Sequence, residues 1–160
     1  EFKGVCKPYA FHPCGKHKDQ PYYGECPEEA DAPRCRRRCQ YLYRKKYEED
    51  KIYAVSRYEV EGGESAMQRE IMENGPIQGS IMVFSDFRFY KKGIYVHTYG
   101  QQEGVHGIKL IGWGVENGTK YWLVSNSWNS DWGEDGFFRI LRGADECGIE
   151  EWGYAGKMRV

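Results

Sequence analysis

Asn117-Gly118 lies between two apolar runs, and this dipeptide constrains the fold more than any other in the chain. Asn and Gly tolerate φ > 0 at the two centres of a tight turn, whose twist matches that of antiparallel strands. Val105-His-Gly-Ile-Lys-Leu-Ile-Gly-Trp-Gly114 precedes the pair, and Tyr121-Trp-Leu-Val-Ser-Asn-Ser-Trp128 follows it. Both runs are rich in the β-branched and aromatic side chains that suit a pleated surface. The segment from Gly104 to Trp132 is therefore predicted to be a β-hairpin.

Folding the ribbon back brings His106 and Asn126 towards one end, although twenty positions separate them in sequence. An imidazole acting as a base needs one ring nitrogen held by an acceptor, and a carboxamide oxygen supplies this without adding charge. The indole of Trp128 is placed to shield that bond from water. A satisfied structural His–Asn pair is the alternative on these two residues alone. Register sets a further condition. With Glu116 and Thr119 flanking the turn, Asn126 falls opposite Lys109, and His106 points to the other face. The strand must break or bulge near Ser125 for the pair to form.

The 160 residues are enough for one core-bearing domain, and a net charge of −1 gives no reason to expect nucleic acid or an anionic membrane as partner. Arg34, Arg36, Arg37, Arg38, Arg44, Lys45 and Lys46 form a basic run, but Glu48, Glu49 and Asp50 follow at once, so the surface balances itself. No apolar run is long enough to span a bilayer, and no signal peptide or initiator Met opens the chain, so its start is expected to be an interior cut. Five of the six cysteines lie between Cys6 and Cys39, with Cys147 far away, so one sulfur of the cluster needs a distant partner. Seven, eleven, eight and three residues separate the clustered cysteines, which fits neither a redox Cys-x-x-Cys motif nor a two-pair zinc site. An oxidising compartment is expected; a metal or cofactor is not.

Residues 1–45 are predicted to be irregular, broken by Pro8, Pro13, Pro21, Pro27 and Pro33. Residues 46–160 read as a β-rich region. Alternation predicts strands over Lys51–Val60 and Ile77–Val83, with further strands at Ile94–Thr98 and Gly136–Arg142. Ser65-Ala-Met-Gln68 has the pattern of a capping box opening a short helix to Glu73, with Met67 and Ile71 on its buried face. Asn74-Gly75-Pro76 ends it. The expected class is α+β, an antiparallel, barrel-like β-rich half with one short helix and a Cys-stapled N-terminal loop region. Asn117-Gly118-Thr119 is also a glycosylation sequon.

Val105-His106-Gly-Ile, Gly112-Trp-Gly-Val-Glu-Asn-Gly-Thr119, Tyr121-Trp-Leu-Val-Ser-Asn126-Ser-Trp128 and Asp131-Trp132-Gly resemble the His and Asn regions of papain-like cysteine proteases, cathepsin B above all. The resemblance runs from Cys6-Lys-Pro-Tyr to Cys147-Gly-Ile-Glu150. It implies a papain-like fold and cysteine-type peptidase activity, with His106 and Asn126 catalytic and Trp128 shielding them. The nucleophilic Cys of that family lies in a Cys-Gly-Ser/Ala-Cys-Trp/Tyr signature roughly 130–150 residues before the His. No such signature occurs in this chain, so the nucleophile and the oxyanion-hole Gln are expected in a missing N-terminal half. By the same resemblance Cys6 pairs with Cys39, Cys14 pairs with Cys26 to close an occluding loop, and Cys35 reaches into that missing half.

Lys16-His17 stand where the family carries the His-His pair that receives a substrate's terminal carboxylate, so endopeptidase action with dipeptidyl carboxypeptidase activity is implied. Ser80, Gly107 and Trp152 fall at the pocket for the second residue before the cleaved bond. Trp152 replaces an acidic side chain there, which predicts loss of Arg preference in favour of apolar or aromatic residues. Tyr121–Glu134 is similar to a pattern named for haemoglobin digestion in blood-feeding worms, with Ser125 in place of Ala. Expected partners are protein and peptide substrates, haemoglobin among them, the propeptide, and cystatin-type inhibitors. The expected location is lysosomal or secreted, a gut lumen included. A non-catalytic pseudoprotease or an extracellular Cys-rich binding module is the alternative.

Overall fold

The computed structural model describes residues 4–27 and 30–158. They form two compact units, one up to Ala54 together with Met158, the other Val55–Lys157.

The first unit is mostly irregular, as five prolines dictate, with one short helix, α1 (Tyr47–Asp50). Two disulfides, Cys6–Cys39 and Cys14–Cys26, hold it. Within the smaller ring, Gly15 N–H donates to Gly24 O at 2.6 Å, and Lys16 bridges to Tyr22. The Lys16 ammonium is tied to Gln20 O at 2.6 Å, and His17 Nε2 lies 3.2 Å from Cys14 O. Cys35 is exposed, and no disulfide joins it to another described residue.

Save for the terminal residues Ala54 and Met158, the second unit carries β1 (Ala54–Glu59), α2 (Gly63–Asn74), β2 (Ile77–Phe84), β3 (Ile94–Tyr95), β4 (Gln102–Glu116), β5 (Thr119–Ser125), β6 (Phe137–Leu141) and β7 (Gly153–Met158). They build one seven-stranded sheet in the order β1-β7-β2-β4-β5-β6-β3. The sheet is open: β1 and β3 are its edges, so the barrel-like closure expected from the sequence is corrected to an edged sheet. Its pairing is not purely antiparallel either, since the two residues of β3 run parallel to β6.

Alternation in β2 puts Ile77, Gly79, Ile81 and Val83 on the core face. Ile77, Ile81 and Val83 form one apolar cluster with Ile108, Leu110, Trp122, Val124, Phe138, Ile140 and Met67. Each large side chain so buried contributes about 1.5–3 kcal/mol. The helix does not begin at the expected cap. Gly62, at φ 110°, precedes it and Ser65 lies inside the first turn, with no side-chain cap bond; its end at Gly75, which donates to Ile71 O, is as the sequence indicates. Arg142, 7 % exposed, straddles the central hairpin by donating to Tyr121 O and Gly114 O, each at 3.2 Å, and pairs with Glu64.

Candidate active site

β4 and β5 form the hairpin around Asn117 (φ 50°) and Gly118 (φ 81°), with Glu116 facing Thr119. The register holds as far as Gly112 opposite Leu123, then slips so that Leu110 faces Val124 and Lys109 faces Ser125. Ile111 is the extra residue, and a one-residue bulge reverses which face the following side chains take. Continued by one position, the shifted register sets Asn126 opposite Ile108 and so on the face of His106. The irregularity demanded by the sequence thus lies in β4 at Ile111, while β5 simply ends at Ser125.

Beyond β5 the chain turns through Trp132 and Gly133. Asn126 N–H donates to Gly136 O at 3.0 Å, and Glu134 N–H donates to Phe137 O at 2.9 Å. Gly133 has φ 61°, and a Cβ there would lie 2.5 Å from Phe137 O, so only glycine fits this turn. The turn presents the Asn126 side chain to the ring of His106.

His106 Nε2 lies 2.9 Å from Asn126 Oδ1. The same oxygen accepts the Ser127 N–H at 2.8 Å, which fixes the orientation of the carboxamide. Since Oδ1 can only accept, Nε2 must carry the proton, leaving Nδ1 as the ring nitrogen that can exchange one with a reactant. Asn126 Nδ2 is buried without a partner among the described residues.

The ring centroid of Trp128 lies 5.1 Å from that of His106, the two planes tilted by 32°. Behind it stands an aromatic bed that sequence reasoning did not assemble: Trp128 meets Phe87 at 5.5 Å and Trp132 at 5.0 Å, and Phe87 meets Phe138 at 4.9 Å. Trp132 Nε1 donates to Arg88 O at 3.1 Å, which ties this bed to the 3-10 turn Ser85–Phe89. The sequence signal for it is the aromatic density of Phe84–Tyr95.

The buried Asp86 carboxylate anchors that turn. It accepts from Tyr95 OH at 2.8 Å and Thr98 N–H at 3.0 Å, and lies 3.1 Å from His97 Nδ1. Burial alone raises this carboxyl, but the bonds from Thr98, Tyr95, His97 and Tyr99 outweigh it and hold the group far below the usual carboxylate range.

Ser80 faces Gly107 directly across β2 and β4, on the face of the sheet opposite His106. Trp152 is 37 % exposed and precedes Gly153, which pairs with Gly79. Cys147 is buried, and its thiol is pushed up to about 12 by burial and by the charges of Glu146, Asp86 and Asp145. That is the reverse of an activated nucleophile. Among the described residues no cluster of His, Cys, Asp and Glu could hold a metal ion.

The family model described as papain family cysteine protease matches residues 6–156. The chain belongs to that family. Cathepsin B-like cysteine proteinase 3 of Ostertagia ostertagi is 51% identical over 154 residues, covering 96% of this chain and 88% of that protein. Cathepsin B-like cysteine proteinase 2 of Haemonchus contortus is 52% identical over 148 residues, covering 92% of this chain but 43% of that protein. The solved structure of procathepsin B S9 from Trypanosoma congolense superposes with a TM-score of 0.82 at 36% identity, over 97% of this chain and 48% of that one. The fold is papain-like, with mixed helix and sheet. Except for the first of these relatives, the chain spans less than half the length of the papain-family proteins named here.

Proposed function

We propose that this chain supplies the His/Asn half of a cathepsin B-like cysteine peptidase, and that the nucleophilic sulfur comes from outside residues 1–160. The contact that carries the reading is His106 Nε2 to Asn126 Oδ1 at 2.9 Å, with the Trp128 ring against that of His106. It frees Nδ1 for a thiol. Imidazolium and thiolate form an ion pair, and the thiolate attacks the scissile carbonyl. The Nδ1 proton passes to the leaving amine, giving an acyl-enzyme thioester. Nδ1 then takes a proton from the water that hydrolyses the thioester. A neutral Asn suffices as orienter because the resting state already holds the imidazole as a cation.

Residues 1–45 serve as the occluding-loop region and 46–160 as the β-rich His/Asn region. Ser80, Gly107 and Trp152 line the pocket for the second residue before the cleaved bond. Gly107 leaves open space, since a Cβ there would meet nothing within 4 Å, and Trp152 offers an aromatic wall. Both favour an apolar or aromatic side chain. Lys16 and His17 meet the terminal carboxylate of a substrate, adding dipeptidyl carboxypeptidase action to endopeptidase action. Substrates are proteins and peptides, haemoglobin among them; the propeptide and cystatin-type inhibitors are the further partners, and the location is lysosomal or secreted, a gut lumen included.

The deciding experiment uses the full-length protein and a fluorogenic dipeptide substrate. His106→Ala should abolish turnover and alkylation of the nucleophile by an epoxide inhibitor. Asn126→Ala should lower kcat on the order of 10²-fold with little change in KM. Full activity in His106→Ala would overturn the reading, as would an inert wild type.

A further inference from the structure

We propose that Asn117 is N-glycosylated, placing an oligosaccharide on the hairpin tip at the end of the ribbon remote from His106. Asn117-Gly118-Thr119 satisfies the acceptor pattern, and neither Gly118 nor Lys120 is proline, which would prevent the extended acceptor conformation. Val115 to Lys120 are all exposed, six residues in succession, so the tip has room for a bulky group. The Asn117 carboxamide makes no hydrogen bond among the described residues, whereas its neighbours are engaged: Glu116 with Arg139 at 2.8 Å, and Lys120 with Glu64 at 3.4 Å. A glycan at Asn117 therefore displaces no interaction of the folded hairpin.

The positive φ of Asn117 is no barrier, because transfer takes place on the chain before this turn closes. In the folded hairpin Asn117 is exposed. His106 lies ten residues down β4 from Glu116, a separation of roughly 30 Å at the rise of a strand. A sugar at the tip consequently leaves the imidazole clear. The donor is a polyisoprenoid-pyrophosphate oligosaccharide. Asn117 Nδ2 forms the bond to its anomeric carbon, the bond from that carbon to the pyrophosphate oxygen breaks, and the proton lost from Nδ2 leaves with the pyrophosphate; nothing is oxidised or reduced. Access to such a donor requires the secretory pathway, and the two disulfides of the first unit are the independent mark of that route. The inference does not depend on proteolytic activity.

The test is secretion of the full-length protein from insect cells, followed by trypsin and peptide mass mapping. Cleavage after Lys109 and Lys120 isolates the sequon on one peptide. That peptide should be recovered only after peptide N-glycosidase in ¹⁸O-water, with residue 117 converted to labelled Asp. A digest without the glycosidase corrects for the spontaneous hydrolysis to which Asn-Gly pairs are prone. Asn117→Gln and Thr119→Ala should each remove one glycan's worth of electrophoretic shift, and Thr119→Ser should keep it. Recovery of the wild-type peptide mainly unmodified from secreted, disulfide-bonded protein overturns the proposal, whatever the variants do.

Discussion

Lys109 lies opposite Ser125, one position out of the register that Glu116 and Thr119 set at the turn. The slip is absorbed by Ile111. It decides whether the imidazole and the carboxamide share a face, because a strand's side chains alternate with a period of two. Deleting Ile111 should restore a regular ladder that keeps Leu110 opposite Val124 and His106 on the face of Asn126. The expected outcome is a folded full-length protein whose turnover stays within about tenfold of the parent. Circular dichroism and a fluorogenic peptide assay check it; a loss of about 10²-fold or more would show that the extra residue does more than shift the register.

Trp152 governs the pocket if the specificity proposal holds. Trp152→Glu in the full-length protein should raise kcat/KM for a substrate with Arg at the second position, relative to Phe, by roughly 10–200-fold. A dipeptide substrate pair measured side by side decides this, and an unmoved ratio assigns Trp152 to the scaffold alone.

Asp86 stakes the 3-10 turn behind Trp128 to the Tyr95–Tyr99 segment. Asp86→Asn keeps an oxygen for the N–H groups of Thr98 and Tyr99 but sets an amide NH₂ where Tyr95 OH and His97 Nδ1 meet an acceptor, and should cost about 2–4 kcal/mol in chemical denaturation. Because the folded carboxyl is held low, its contribution is fully present above about pH 4 and is lost as pH falls towards the folded value. The gap between wild type and variant should therefore narrow in acid, and a constant gap from pH 7 to pH 3 counts against the assignment.

Cys147 should resist iodoacetamide in the native protein at pH 8 and react once denatured, since its thiol is pushed up to about 12. The sign of its pH dependence is opposite to that of Asp86. The neutral thiol is the favoured folded form, so its stabilisation is complete below about pH 8.5 and wanes as pH rises towards the folded value. Native-state alkylation with mass detection reads this directly.

Local rules carried much of the architecture. The Asn-Gly turn, the alternation of Ile77 to Val83 and the Gly75-Pro76 stop each act over a few residues, so each could be read directly. The start of α2 could not: Gly62 adopts φ 110° without a capping side chain, and the Ser65 pattern masks it. Ile111 sits inside a uniform apolar run, where nothing marks one residue as unpaired. Sheet closure and the parallel pairing of β3 with β6 depend on contacts distant in sequence, which local patterns do not encode. At the site, the residue types of His106 and Asn126 were legible, whereas the aromatic bed beside Trp128 exists only after three separate segments meet.

The tilted contact between the rings of Trp128 and His106 gives this region an optical readout of its own. A protonated imidazole that close to an indole draws charge from its excited state and dims its emission. The difference in fluorescence between the native protein and a Trp128→Phe variant therefore follows the charge on a single histidine, with no external dye.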